Sequence, residues 1–452
     1  MSEFMFRNMT SSHSRRDFLR LAATGGAGLS FSGWFDSLAA YAGDHPQRRR
    51  ACILLWMNGG PSQMDTFDLK PGNVNGGPFR ETPTATEGIR ISEHLPLVAR
   101  QMNRMAIIRS MSTPEGDHER GSHLMHTGYR QQGPIQYPGI GSLVAKELGS
   151  DDSALPNFVS IGAARSLFGV TTAGFLGPRY APLVLAEGAF QGADEPTNYD
   201  NLLRVPNLRP AGDVTREQAD ARLDLLRSME GDFAGARSGV AVQSRQTAYE
   251  RATRLMNTAA ARAFNLDEET AATRDRYGRN LFGQGCLLAR RLVERGVPFV
   301  EVSLGRAPGA SLGWDTHGQN FDAVRSLSGV LDPAWAMLMD DLHRRGLLDS
   351  TLIIWMGEFG RTPRINSASG RDHYPNAWST VLAGGGIRGG QVVGRTSRDG
   401  TTIEERRVTI LDLLSTACRA LGIDPTRQNN SNVGRPIRIV DQGANPIREI
   451  LA

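Results

Sequence analysis

Between Thr351 and Ala383 the sequence sets two buried runs around two polar clusters, which limits the chain to a sheet whose strand ends carry chemistry. The first run, TLIIWM from Thr351, is short, β-branched and aromatic, with no helical stripe, so it predicts a strand buried on both faces. It breaks at once into Gly357-Glu358-Phe359-Gly360-Arg361-Thr362-Pro363, so an acid stands at the strand's carboxyl end. After a polar turn comes Gly370-Arg371-Asp372-His373-Tyr374-Pro375-Asn376, and then a second buried run from Trp378 to Ala383. In open α/β sheets, ligands bind at such ends.

With 452 residues the chain has room for a large α/β domain with insertions, and 40% apolar with 22% charged residues is the balance of an ordinary globular protein. Beyond the N-terminal region no apolar run reaches the roughly 20 residues of a membrane helix, so no span is expected in the mature chain. The net charge is +4, but the basic residues are scattered arginines, with only Lys70 and Lys146 as lysines. No basic stripe is interleaved with aromatics, which argues against nucleic acid as a partner. Cys52, Cys286 and Cys418 lie in apolar contexts without metal or redox spacing and are expected as buried thiols.

Ser14-Arg15-Arg16-Asp17-Phe18-Leu19 precedes a mildly apolar, Gly/Ala-rich segment and Ala40-Tyr41-Ala42, which fits a small-x-small cleavage site. This is the pattern of a twin-arginine export signal over residues 1–42. The mature α/β domain is then expected over 43–452, outside the cytoplasm, with a helical insertion at about 215–296. That export route carries folded proteins, often with a metal or cofactor already loaded.

Along the chain, ACILLWM (51–57) reads as a buried strand that ends in Asn58-Gly59-Gly60-Pro61 and reaches Asp65 and Asp68. Asn58 or Asp65 is a candidate ligand; Asp68 reads as a turn former. A short helix near Leu95–Gln101 and a strand at Met105–Ser110 precede the densest histidine cluster, Asp117-His118-Glu119-Arg120-Gly121-Ser122-His123-Leu124-Met125-His126. If Arg120 to His126 is helical, Asp117 and His118 stand at its N-terminal mouth, where the dipole disfavours imidazolium, so His118 is expected to be neutral at pH 7. His123 and His126 are expected to be structural. Residues 131–200 alternate Gly/Pro-rich turns with short strands, such as Asn157–Ile161, and read as a lid-like excursion. Helices are expected at Arg216–Met229, Gln246–Phe264 and Arg279–Arg295, and a buried strand at Val297–Leu304. Gly313-Trp314-Asp315-Thr316-His317-Gly318 follows, where extended backbone turns Asp315 and His317 to one side. Helices at Leu331–Arg345 and Ile410–Leu421 complete the reading.

The candidate site is a convergence: Asn58 or Asp65, Asp117 with His118, Asp315 with His317, Glu358, and Asp372 with His373 all adjoin predicted strand ends. So many acids gathered together require neutralisation. Mixed imidazole and carboxylate donors suit one or two Zn²⁺ or Mn²⁺ ions better than Ca²⁺. Arg361 or Arg371 would pair with a tetrahedral anion.

The twin-arginine start, NGGPSQMDTFD, GWDTHGQNFD, GEFGRTP, GRDHYPN and FGQGCLLARRLVERGVPFVEV together resemble a large bacterial family of exported proteins of unknown function. That family is abundant in planctomycetes and placed in the alkaline phosphatase and sulfatase-like superfamily. The resemblance covers residues 14 to about 450. It implies a largely parallel sheet flanked by helices, with metal ligands at Asn58 or Asp65, Asp315 with His317, Glu358 and His373. In sulfatases the nucleophile stands at a helix N-terminus, and the matching position here is His118. The departures are that no Cys, Ser or Thr stands there, that Phe359 replaces a histidine common in phosphatases, and that the first strand ends in Asn and not Asp. The leading expectation is a metal-dependent hydrolase of phosphate or sulfate esters, acting on a small molecule or a polysaccharide. The competing one is a non-catalytic exported binding or assembly protein that keeps the fold.

Overall fold

Eight strands form the central sheet: β1 (Ala51–Met57), β2 (Met105–Met111), β3 (Phe158–Ile161), β4 (Leu183–Leu185), β5 (Phe299–Leu304), β6 (Thr351–Met356), β7 (Trp378–Gly384) and β8 (Gln391–Val393). Their order across the sheet is β8-β2-β7-β6-β1-β5-β3-β4. Strand β7 runs antiparallel to both its neighbours, while every other pairing is parallel. The carboxyl ends of β1, β5 and β6 and the amino end of β7 therefore share one edge. The sheet is mixed and mostly parallel, as the sequence predicts.

This computed structural model describes residues 50–162, 173–187, 189, 199–205, 214–235, 253–256 and 259–452. The expected export signal at 1–42 lies outside the described residues, and so do residues 246–252 and 257–258 of the helix expected over Gln246–Phe264, whose end at Ala259–Phe264 is a 3-10 helix. Among the described residues no helix is long and apolar enough to cross a membrane.

The helices are α1 (His118–Thr127), α2 (Ile140–Leu148), α3 (Arg216–Gly235), α4 (Ala271–Tyr277), α5 (Leu281–Glu294), α6 (Asn320–Arg344) and α7 (Ile410–Ala420), and all but α3, whose described side chains are exposed or half-buried, contribute to the two cores on the sheet's faces. Residues of β1 alternate between two cores. Ile53, Leu55 and Met57 pack with α5 and α6, whereas Cys52, Leu54 and Trp56 pack with α1, α2 and α7. Double-sided burial is why β1 and β6 read as continuous apolar runs. The three cysteines are buried and free.

Two expectations need correction. The segment read as a lid holds the expected strand near Asn157–Ile161, which is β3, and builds more structure: α2 and the edge strand β4 also come from it. Helix α6 begins at Asn320, well before Leu331, and carries Pro333 in its interior. A helical proline leaves the carbonyl four residues earlier without its donor. That carbonyl belongs to Gly329, which is exposed, so water can satisfy it and the helix continues.

Trp335 of α6 stacks on Trp355 of β6 at 6.0 Å between ring centres and 4° between planes, and Phe67 meets both edge-on. All three are fully buried. Trp335→Ala should lower the unfolding free energy by about 3–5 kcal/mol, read by denaturant titration. A loss under about 1 kcal/mol would show that this layer does not anchor α6.

Candidate metal centre

Each strand at the shared edge delivers one part of the site. After β1, Gly59 takes φ +107°, and a Cβ there would lie 2.4 Å from the Asp315 amide nitrogen. Only glycine allows the loop after β5 to come this close. That loop is tied down further, with the Asn58 amide donating to Leu304 O (3.2 Å) and the Trp314 amide donating to Asn58 O (3.0 Å). After β6, Gly360–Arg361 pairs antiparallel with His373–Tyr374, which places His373 opposite Arg361 just before β7. From β2 the chain enters α1, whose first turn is capped by Asp117 Oδ1 accepting from the Arg120 amide (3.1 Å). Gly121 lets this helix press onto Glu358 and Phe359, since a Cβ would meet their side chains at 3.1–3.3 Å.

Three imidazoles converge on one carboxylate oxygen. Asp315 Oδ1 lies 3.3 Å from His118 Nε2, 3.1 Å from His317 Nε2 and 3.3 Å from His373 Nε2. The Nε2 atoms of His317 and His373 are 3.0 Å apart. Each ring is held from behind by an oxygen: His118 Nδ1 by Glu358 Oε1 (2.5 Å), His317 Nδ1 by Asp372 Oδ1 (2.8 Å) and His373 Nδ1 by Gly116 O (2.8 Å). These acceptors assign the proton to Nδ1, so in the neutral rings the Nε2 lone pairs face inward. The Phe359 ring floors the cluster, with its centre 4.7 Å from His373 and 5.0 Å from His118.

This donor set fits a metal ion. Bonds of about 2.0–2.2 Å in tetrahedral geometry separate ligand atoms by roughly 3.3–3.5 Å, close to the spacings found. His118, Asp315 and His373 offer ligand atoms all within 4.8 Å of one another. Glu358, fully buried, leaves Oε2 without a hydrogen-bond partner, an orphan that calls for a cation or a proton nearby.

Charge within the cluster follows from these contacts. Burial alone would raise the Asp315 carboxyl, but hydrogen bonds from His118 and His373 and the Arg361 guanidinium hold it well below the usual carboxylate range. For His118 burial works to lower the pKa, yet its bonds to Asp315 and Glu358 outweigh that and raise it to about 9. Against the expectation of a neutral His118 at pH 7, the contacts of the metal-free protein favour the charged ring, because two facing carboxylates outweigh burial.

The predicted site residues separate into two groups. His118, Asp315, His317, Glu358, Asp372 and His373 come together. Asp65 and Arg371 do not join them: both are fully buried in a two-pronged ion pair (2.8 and 3.2 Å), with Asn320 also donating to Asp65. Arg371 further donates to the carbonyls of Thr362, Pro363 and Asn75, so no donor remains for a substrate anion. Arg361 is likewise occupied. It donates to Gly60 O, Gly59 O, Arg371 O and Asp315 Oδ1 (2.6 Å), and so positions Asp315 instead of meeting substrate. Asp117 acts as a helix cap, and Asn58 meets the site through its backbone. Of the two further histidines of α1, His126 is buried against Ser122 O (2.8 Å) and Glu301 (3.6 Å). Sequence reading missed Gly116, whose part is a carbonyl with no side-chain signal, and Asn366, which holds both His317 O (2.9 Å) and Asp372 (3.3 Å) from a polar turn.

Fold and site together define an α/β protein with a histidine and carboxylate cluster at the carboxyl edge of its sheet. Residues 49–451 match the model of the DUF1501 family of proteins of unknown function, and the chain belongs to that family. No curated protein matches it. Its fold is similar to that of several solved structures. The PsFucS1 sulfatase from Pseudoalteromonas sp. is 12% identical, with 86% of this chain and 70% of that one covered at a TM-score of 0.41. A protein in the alkaline phosphatase superfamily from Vibrio parahaemolyticus is 12% identical, with 84% and 68% covered at 0.38. The C-terminal periplasmic domain of EcEptC from Escherichia coli, in complex with Zn, is 9% identical, with 90% and 92% covered at 0.37.

In metal-free protein the His118 ring should titrate near pH 9 by NMR, with the imidazolium retained at pH 7. Glu358→Gln should move that midpoint down, because a neutral amide no longer favours the charged ring. A midpoint at or below 6.5 in the unaltered protein would contradict the assigned contacts.

Proposed function

We propose that His118, His317, His373 and Asp315 hold a divalent transition-metal ion, and that the protein uses it to hydrolyse a phosphate or sulfate ester outside the cytoplasm. The observation that carries this reading is the convergence of three Nε2 atoms on Asp315 Oδ1, each ring fixed by an oxygen at Nδ1. Imidazoles mixed with a carboxylate favour Zn²⁺ or Mn²⁺ over Ca²⁺. When bound, such an ion polarises an ester oxygen and lowers the pKa of an attacking water.

The chain's own residues supply orientation and charge. Glu358 and Asp372 keep two rings in the tautomer that points Nε2 inward, and Arg361 keeps Asp315 ionised. His118 has both nitrogens engaged, by Glu358 and Asp315, which favours a ligand role over that of the attacking nucleophile. Burial falls from the fully buried Glu358 through Asp315 (25% exposed) to His317 (47%) and Asp372 (54%), so a substrate would enter over the His317 rim.

Two experiments test this. Metal-loaded protein should hydrolyse an aryl phosphate or aryl sulfate, and His317→Ala and His373→Ala should each reduce both metal content and turnover. Loss of a ligand should exceed the roughly 10–100-fold typical of an outer-shell partner. Full occupancy in both variants would move the site elsewhere. No metal-dependent turnover across phosphate mono- and diesters and sulfate esters would leave the non-catalytic exported binding or assembly protein as the better reading. Export itself is supported by Arg15 and Arg16 before the mildly apolar segment. Changing both to Lys should strand the precursor in the cytoplasm, and unchanged accumulation outside would remove that support.

A further inference from the structure

A groove of about 560 Å³ opens between the end of α1, the start of α7 and the hairpin formed by Gln428–Asn430 and Pro436–Arg438. Its lining is unlike that of the metal centre. Tyr129 and Tyr137 stack at 4.5 Å between ring centres and 7° between planes, and the Tyr129 hydroxyl donates to Arg438 O (2.8 Å), which fixes the ring. Around them stand the guanidinium groups of Arg130, Arg435 and Arg438 and the carboxamides of Gln132, Gln428 and Gln442. Arg130 is paired with Glu115 (3.1 Å), whereas Arg435 and Arg438 form no ion pair among the described residues. Asp441 is the one carboxylate in the lining, so the groove carries an excess of positive charge.

We infer that this groove binds an acidic oligosaccharide, and that the ester cleaved at the metal centre is carried on such a charged sugar chain. The second half rests on the hydrolase reading above; the binding does not. The chemistry of the lining selects the ligand. Planar amides and guanidiniums can make paired hydrogen bonds to neighbouring hydroxyls, the half-buried Tyr129 ring, backed by the buried Tyr137, offers contact area at low entropic cost, and unpaired arginines match sulfate, phosphate or carboxylate substituents. An acidic peptide would engage the arginines but has no vicinal hydroxyls for the amides to read.

Position joins the groove to the proposed reaction centre. Pro114 lines the groove, Glu115 holds Arg130, the Gly116 carbonyl holds His373, and His118 opens α1, whose Leu124 and Gly128 line the groove further along. At 3.8 Å per residue, the Cα atoms of Pro114 and His118 are at most about 15 Å apart, a span that a short oligosaccharide bridges.

The test is calorimetric titration of the purified protein with a chondroitin sulfate hexasaccharide, alongside cellohexaose and an oligo-aspartate of matched charge. The sulfated sugar should bind most tightly. The double variant Arg435→Gln/Arg438→Gln should weaken it at least tenfold with metal content unchanged, and Arg435→Glu alone, at an exposed position, should weaken it in the same direction. Unchanged affinity in both variants, equal binding of cellohexaose, or equal binding of oligo-aspartate would each overturn the inference. Sulfated-sugar binding that follows these expectations in a protein without ester turnover would keep the groove assignment and remove only the hydrolase reading.

Discussion

The guanidinium of Arg361 ties four strand ends into one site. It follows β6, donates to the carbonyls of Gly59 and Gly60 after β1, to the carbonyl of Arg371 ahead of β7, and to Asp315 in the loop after β5. It is fully buried, and a buried guanidinium without an anion is strongly destabilising. Asp315 must therefore be ionised and held in one place, and its Oδ1 becomes the point on which the three imidazoles close. A second buried pair, Asp65 with Arg371, repeats this logic one layer further in and locks the loop that delivers Asp372 and His373. The geometry of the pocket thus depends on two arginines that present nothing to a substrate.

Much of this was legible in the sequence, for physical reasons that can be named. Two-faced burial makes β1 and β6 continuous apolar runs, so their ends, and the polar residues just past them, can be located from pattern alone. Asp117 and His118 read together as a pair at a helix mouth, but only His118 enters the cluster, while Asp117 caps the helix. What local pattern does not encode is which partner a charged side chain finds across hundreds of residues. Asp65 and Arg371 are 306 positions apart, and Glu358 and His118 are 240 apart. Nothing near Arg371 distinguishes an anion-binding arginine from one saturated by carbonyls. Pro333 hid the first half of α6 because its cost is waived only where the orphaned carbonyl faces water. The edge strand β4 was missed because glycine and proline around it read as loop, while it is its pairing with β3 that makes it a strand.

The same cluster links proton and metal chemistry. Without an ion, His118 bridges two carboxylates as an imidazolium and neutralises part of their charge. An ion entering this pocket must displace that proton, so metal affinity should fall with acidity. The oxygens behind His317 and His373 differ in kind: a half-exposed carboxylate for one and a backbone carbonyl for the other. The His373 ring is consequently fixed by the fold, and the His317 ring by a contact that solvent can reach.

X-ray absorption at the metal edge of protein loaded with Zn²⁺ tests the central claim most directly. The account predicts a first shell dominated by imidazole nitrogen, with multiple-scattering features of about three histidines and one or more oxygens at 2.0–2.2 Å. A shell of oxygen alone, or of a single imidazole, would contradict the convergence of His118, His317 and His373 on Asp315.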